Sequence, residues 1–381
     1  MHVTHLGLVD FRSYRSVELD IPAGVTTFVG ANGHGKTNLV EAIGYACSLR
    51  SHRVATDAPL VRQGADRAVI RVHADRAGRE VVVELEITAG KANRARLNRA
   101  PVPRQRDVLG QVSRVLFAPE DLFLVKGDPG ERRTYLDELT VALAPRFDAV
   151  LSDLDRVLRQ RNSLLKSASA LRGGGSRSRS AAEATLSIWD DQLAALSADV
   201  IAARATLVDR LSHPLSESYR TVAPGDRDPR AHIEYVPGVP EAQGLGRDAL
   251  AEQVRSALLA RRDEEFARGI TLVGPHRDEM AVTLHGMPVR GYASHGESWS
   301  MALALRLASY DVVRSEAGPG GEPVLILDDV FAELDADRRE RLAMAVAEVE
   351  QVLITAAVPE DVPQVLRGRT VEVSDLVGTA A

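Results

Sequence analysis

The 381-residue chain holds one cysteine, Cys47, so no disulfide can close within it and the fold must rest on packing. Cys47 lies in an apolar stretch, which favours a buried, inert thiol over a reactive one. Aromatic residues make up only 4% of the chain. That scarcity argues against base stacking as the main way to hold single-stranded nucleic acid. There is no run of eighteen apolar residues, and no opening apolar stretch with the character of a signal peptide. The expected location is the cytoplasm. Lysine is rare as well: Lys36, Lys91, Lys126 and Lys166 are the only four among 47 basic residues. The net charge of −6 means that any nucleic-acid surface must be a local patch of cations. At 45% hydrophobic and 26% charged, the rest is ordinary globular sequence, long enough for two domains or for one domain with an insertion.

One of the few lysines falls in Gly30-Ala-Asn-Gly-His-Gly-Lys-Thr37, a full match to the phosphate-binding pattern GxxxxGK[ST]. An apolar, strand-like run (Val25-Thr26-Thr27-Phe28-Val29) precedes it and a helix-like run from Asn38 to Leu49 follows. That setting suits the chemistry, because loop amides and a helix N-terminus together cradle phosphate oxygens. Gly30, Asn32, Gly33, Gly35, Lys36, Thr37 and Asn38 are the expected nucleotide contacts. Lys36 would reach the β- and γ-phosphates, and the Thr37 hydroxyl would ligate Mg²⁺. Further on, Val324-Leu325-Ile326-Leu327-Asp328-Asp329 reads as a buried strand ending in two carboxylates. Active sites of such sheets lie at the strands' carboxyl ends. Asp328 is therefore the expected metal ligand and Asp329 the group that orients or deprotonates an attacking water.

The rest of the chain alternates in character. Residues 2–125 read mostly as short strands, clearest where Val81, Val83, Leu85 and Ile87 alternate with their neighbours. Two helical runs follow. In the first, Phe147, Leu151, Leu154, Leu158, Leu165 and Ala168 step by three or four except for a gap of seven across Arg161. In the second, Leu186, Trp189, Leu193, Leu196, Val200, Ala203 and Leu207 form an unbroken heptad stripe. The polar Arg172–Ser180 segment separates the runs as a flexible tip, so an antiparallel helical hairpin is expected. After residue 222 helices and strands alternate again, as in a sheet covered by helices.

Ser294-His295-Gly296-Glu297 opens an amphipathic helix, where it reads either as an anion site or as an N-cap with a first-turn acid. Its meaning comes from order. A P-loop, Ser-x-Gly-Glu, an apolar strand with Asp-Asp, then Glu333-Leu334-Asp335 is the order of the ABC-type ATPases. More narrowly, the chain resembles the RecF family of SMC-like ATPases. The resemblance rests on Gly30–Ile43, on His5-Leu-Gly-Leu-Val-Asp-Phe-Arg-Ser-Tyr-Arg15 and on Phe117-Ala-Pro-Glu-Asp-Leu122. It also rests on Val125–Asp137 and on Gly274-Pro-His-Arg-Asp278, and it runs to about residue 358.

The resemblance implies an α/β fold: an ABC-type P-loop ATPase head with an inserted short antiparallel helical arm. Residues 1–125 and 223–381 would form the head and 126–222 the arm. It implies ATP and Mg²⁺ as cofactors, with Ser294, Gly296, Glu297 and Asp335 completing the site of a second, head-to-tail copy. It further implies ATP-dependent binding of gapped or double-stranded DNA, association with the nucleoid, weak hydrolysis as a release switch, and work with RecO and RecR to load RecA. Two features depart from the wider superfamily. Ala356-Ala357 stand where a switch histidine is usual, and no glutamine can be assigned to the metal side of the site.

Two basic stretches lack acids. One carries Lys91, Arg94, Arg96, Arg99, Arg104 and Arg106, and the other runs from Arg156 to Arg179. Both suit sequence-neutral backbone contacts, and both equally suit solvated surface in an arginine-rich chain. The alternatives to a DNA clamp are an ATP-gated scaffold that recruits protein partners, a P-loop phosphotransferase and a transporter subunit. The helical insertion and the absent histidine weaken the last.

Overall fold

The structure, a computed structural model, describes residues 1–170, 176–223, 225 and 230–377. The chain opens with strands β1 (His2–Phe11), β2 (Tyr14–Asp20) and β3 (Gly24–Val29), then helix α1 (Lys36–Ser48). Strands β4 (Arg67–Arg76), β5 (Arg79–Thr88), β6 (Arg94–Leu97), β7 (Ala100–Pro101) and β8 (Arg114–Phe117) follow. Next come α2 (Leu122–Lys126), α3 (Pro129–Leu143), α4 (Phe147–Ala170) and α5 (Ser176–Val222). After these stand β9 (Ala231–Val236), α6 (Arg247–Ala260), α7 (Arg262–Arg268), β10 (Glu279–Leu284) and β11 (Met287–Pro288). A distorted turn α8 (Val289–Tyr292) and helix α9 (His295–Glu316) lead to β12 (Val324–Asp328), α10 (Ala336–Val346), β13 (Gln351–Ala356) and β14 (Arg369–Glu372). Of the expected Arg172–Ser180 tip, residues 172–175 lie outside the described residues, and from Ser176 the backbone is already α5.

The chain forms two compact units. The first takes the described residues of Met1–Lys126, His213–Ala231 and Leu284–Ala381. Its antiparallel sheet has the order β2-β1-β4-β5-β6-β7 and its parallel sheet the order β14-β3-β13-β12-β8. Helix α1 packs against strands of both, and Leu39, Val40, Ala42, Ile43 and Ala46 are all within 1% of fully buried. A helix with apolar residues on most sides has to be enclosed in this way, and its one acid, Glu41, is buried with them. In the parallel sheet Asp328 pairs with Thr355 and Thr355 with Phe28, so β3, β12 and β13 end at one level. The loops that carry chemistry leave from that edge.

The second unit takes Gly127–Ser212 and His232–Thr283. It takes in residues 232–283, beyond the 126–222 arm that the resemblance implies, and buried ion pairs tie that later segment to the helices. Arg161 of α4 is fully buried and donates to Asp190 Oδ1 at 2.9 Å, Thr271 Oγ1 at 2.9 Å and Glu265 Oε2 at 2.5 Å. Arg204 of α5 donates to both Asp137 oxygens and to Asp278 Oδ2 at 2.7 Å. Arg132 grips Glu279 through two bonds of 2.6 and 2.7 Å. The gap of seven in the first helical run is thus a seam position filled by Arg161. The second stripe is also rotated from the expected one. Leu186, Asp190, Leu193, Ser197, Val200, Arg204, Leu207 and Leu211 are buried, whereas Trp189, Leu196 and Ala203 are only partly so. Hydropathy pointed to the apolar neighbours; the paired charges of Asp190 and Arg204 allow burial instead. The helical stretch of residues 247–268 is broken at Arg261 into α6 and α7.

Candidate functional site

The loop after β3 turns back on itself through Gly33 (φ +84°) and Gly35 (φ +99°), a region that favours glycine. At Gly35 a Cβ would also come within 2.8 Å of the Tyr14 hydroxyl and 2.9 Å of Ser13 Oγ. The β1–β2 turn is pressed against the loop there, and Tyr14 donates to Gly35 O at 3.1 Å. Lys36 is 3% exposed and its ammonium curls into the loop, donating to Gly30 O (2.9 Å) and Asn32 Oδ1 (3.3 Å). Asn38 faces sideways, bonded to Ser13 and Arg53. Arg12 makes two bonds to Glu41, a carboxylate fully buried in α1 whose charge Arg53 also approaches at 3.6 Å. The Arg12-Ser13-Tyr14 run is therefore a brace for the loop and its helix.

The Thr37 hydroxyl donates to Asp328 Oδ1 at 3.0 Å, which brings the two expected metal ligands together. The same oxygen accepts a 2.7 Å bond from Thr355 Oγ1, and Thr355 in turn accepts the Asp329 N–H at 2.8 Å. Asp329 has a left-handed backbone (φ +52°), a conformation aspartate tolerates better than most residues. Burial holds its carboxyl above the usual carboxylate range, while the Lys36 charge opposes the shift and Asp328 adds to it. Sequence reading missed Thr355, although it closes the apolar run of β13. It also missed His52, whose Nε2 lies 3.4 Å from Asp328 Oδ2. Cys47 is partly exposed rather than buried as expected, and desolvation pushes its thiol up to about 12.

Ser294 caps α9: its hydroxyl accepts the Glu297 N–H at 3.2 Å, and Glu297 Oε2 accepts the Ser294 N–H at 2.7 Å. This reciprocal pairing holds the Glu297 carboxyl below its usual range. The helix is buried nearly all round rather than on one face. A Cβ at Gly296 would lie 2.6 Å from Arg338 Nη2. Arg338 itself donates to Ser300 Oγ at 2.9 Å and ion-pairs with Asp335, and Asp335 caps α10 by accepting the Arg338 N–H at 2.9 Å. Ser294, Gly296, Glu297 and Asp335 thus sit in one linked cluster.

The basic stretches look different once paired. In the β5–β6 register Arg94 faces Glu86 and Arg96 faces Glu84, so the neighbouring strand supplies acids that the stretch lacks. Lys91, Arg99 and Arg104 are exposed and Arg106 is half-buried. In the second stretch Arg156 and Arg159 pair with Asp153 and Asp155, and Arg161 is core.

A glycine loop after β3, a carboxylate-tipped strand one place removed in the same sheet and a capped Ser-x-Gly-Glu helix define an SMC-like, ABC-type ATPase head. A family model described as the RecF/RecN/SMC N terminal domain matches residues 2–374, and the chain belongs to that family. It is 58% identical over 379 residues to the DNA replication and repair protein RecF of Kineococcus radiotolerans, covering 97% of this chain and 96% of that one. It is 57% identical over 375 residues to the protein of the same name from Streptomyces avermitilis, covering 98% of each. Among solved structures, the recombination mediator protein RecF of the RecFOR pathway, solved as RecF-ATPrS, aligns with a TM-score of 0.85. The identity there is 27%, over 95% of this chain and 94% of that one. The RecF-ATP form aligns at 0.82 and 26% identity, with the same coverage. An SmcHead bound to the C-winged helix domain of ScpA, at 0.51 and 16% identity, shares the fold alone; it covers 94% of this chain and 90% of that one. Among the described residues no helix is long and apolar enough to cross a membrane.

Proposed function

We propose that this chain is an ATP-gated DNA-binding protein of replication and gap repair, acting as a weak ATPase. The observation that carries the reading is the convergence of Lys36, Thr37, Asp328 and Asp329 at the carboxyl ends of β3 and β12. Mg²⁺ fits here: Thr37 Oγ1 and Asp328 Oδ1, both hard oxygen donors, already meet at 3.0 Å. That ion is commonly held by one or two such groups plus nucleotide phosphates and waters. When bound, it would neutralise phosphate charge. Lys36 and the loop amides bind and orient the phosphates, and Asp329 takes or steers the proton of the attacking water. Its carboxyl, held above the usual range by burial, is the better proton acceptor for that.

Ser294 and Gly296 would meet the terminal phosphate bound by a second copy, so that two heads close over two nucleotides and part after hydrolysis. RecF solved as RecF-ATP and the naming of the relatives in replication and repair support this reading. RecO and RecR are the partners it implies, with nucleoid-associated work in the cytoplasm. A second reading, an ATP-gated scaffold that recruits proteins, is favoured by the pairing of Arg94 and Arg96 with Glu86 and Glu84. Analytical ultracentrifugation of Asp329→Asn with ATP and gapped DNA tests both. The clamp predicts a persistent dimer that sediments with DNA. A dimer that ignores DNA leaves the scaffold, and a protein that stays monomeric in ATP ends both.

A further inference from the structure

We propose that His52 is a positioning residue of the nucleotide site, fixing the outer oxygen of Asp328 so that the inner one stays turned toward Thr37. The proposal rests on the reading of Thr37 and Asp328 as the metal-holding pair. Both partners of Asp328 Oδ1 are hydroxyls, Thr37 and Thr355. Oδ2 faces His52 Nε2 at 3.4 Å. That nitrogen is buried and makes no well-aligned hydrogen bond, an arrangement that native interiors rarely leave standing. A small rotation of either group turns the approach into an N–H···O bond, with the imidazole in its Nε2–H form.

The backbone around His52 is anchored on both sides. Ser51 Oγ donates to Glu41 Oε1 at 2.5 Å and accepts the Arg53 and Val54 N–H groups at 3.0 and 3.2 Å. Glu41 is fully buried on α1, the helix that begins with Lys36 and Thr37, and Arg12 braces it. The histidine and the threonine are therefore set by one rigid element, on either side of one carboxylate. A partner that orients a metal ligand without touching the metal commonly changes metal affinity by about 10- to 100-fold when removed.

The test measures Mn²⁺ affinity by electron paramagnetic resonance on the full chain, saturated with a non-hydrolysable ATP analogue. Metal-free nucleotide affinity in EDTA is measured alongside. His52→Phe keeps the ring volume without the donor, and His52→Gln keeps a donor. The expected result is Mn²⁺ affinity at least about tenfold weaker for His52→Phe, most of it regained in His52→Gln, with metal-free nucleotide affinity unchanged in both. Mn²⁺ affinity of His52→Phe within twofold of the wild type overturns the proposal, as does a parallel loss of metal-free nucleotide affinity. A wild-type protein that binds the analogue but no Mn²⁺ overturns the Thr37–Asp328 reading itself, and the role of His52 with it.

Discussion

Replacing Thr355 by valine removes one hydroxyl and little else. The residue is 1% exposed, lies in β13 among apolar neighbours, and valine matches both its shape and its strand preference. Two bonds go: the donor to Asp328 Oδ1 (2.7 Å) and the acceptor for the Asp329 N–H (2.8 Å). An amide left buried without a partner costs about 1–3 kcal/mol, which a urea melt resolves. The larger consequence is for Asp329. Its left-handed backbone costs an aspartate roughly 1 kcal/mol, and the Thr355 hydroxyl helps to hold it there. Without that anchor the carboxylate drifts, and a misplacement on the order of 1 Å can lower turnover by about 100-fold. Lys36 and the loop amides do not touch Thr355, so affinity for a fluorescent ATP analogue should stay within about threefold, whereas phosphate release falls. Thr355→Ser should restore both stability and turnover. Turnover that survives the loss of stability, or nucleotide affinity that collapses together with it, would refute the reasoning.

Three further outcomes follow from particular contacts. Ser294→Arg should lose its helix cap, at about 1 kcal/mol, and lose ATP-dependent dimerisation while still binding ATP. Ser294→Asp should keep the cap but still fail to dimerise, because its charge would face a phosphate; a normal dimer by light scattering would end the composite-site idea. Arg161→Met should destabilise the protein by about 3–5 kcal/mol in urea, since Glu265 would be left buried without a charge partner while Asp190 keeps only Arg262. A loss under 1 kcal/mol would mean that water reaches the cluster. His276 is half-buried, and desolvation pulls its ring down to about 4, so the fold keeps it neutral while the unfolded chain protonates near 6.5. Its contribution is whole above that pH and is lost as the pH falls from about 6.5 toward 4, by about 3 kcal/mol in all. His276→Gln should flatten that part of the stability–pH curve.

The nucleotide half of the site was legible because its chemistry is local. Eight consecutive residues specify the loop, and four apolar residues followed by Asp328 specify a buried strand of the same sheet. Thr355 was not legible. It reaches the site only through the parallel register that sets it beside Asp328, and strand pairing across 27 residues leaves no mark in either segment. His52 was hidden for a similar reason, since its loop returns to the sheet only after α1 has been packed between two sheets. The helical runs were visible by period but misjudged in phase. Periodicity counts apolar side chains, and here every second position of the buried stripe as far as Arg204 is polar: Asp190, Ser197 and Arg204, seven residues apart. Such a stripe is intelligible only with its partners in hand: Arg161 for Asp190, and Asp137 and Asp278 for Arg204. Those partners are also what draws residues 232–283 into the second unit.

The Ser-x-Gly-Glu turn shows why one short motif can support two readings at once. Ser294 and Glu297 satisfy each other as a cap, which is sufficient reason for both residues to be present. Gly296 takes no part in that cap, and its small size serves the guanidinium of Arg338, which a Cβ would meet at 2.6 Å. Arg338 in turn ties Ser300 of α9 to Asp335 at the head of α10. Any side chain at Gly296 would therefore move Arg338 and Asp335 together, and a defect seen there could not be traced to a lost amide–phosphate contact. Ser294 offers the cleaner experiment because aspartate can keep the cap while reversing what the turn presents to an anion. If the turn serves only to start a helix, Ser294→Asp is silent; if it also receives a phosphate from a second copy, the same change is severe.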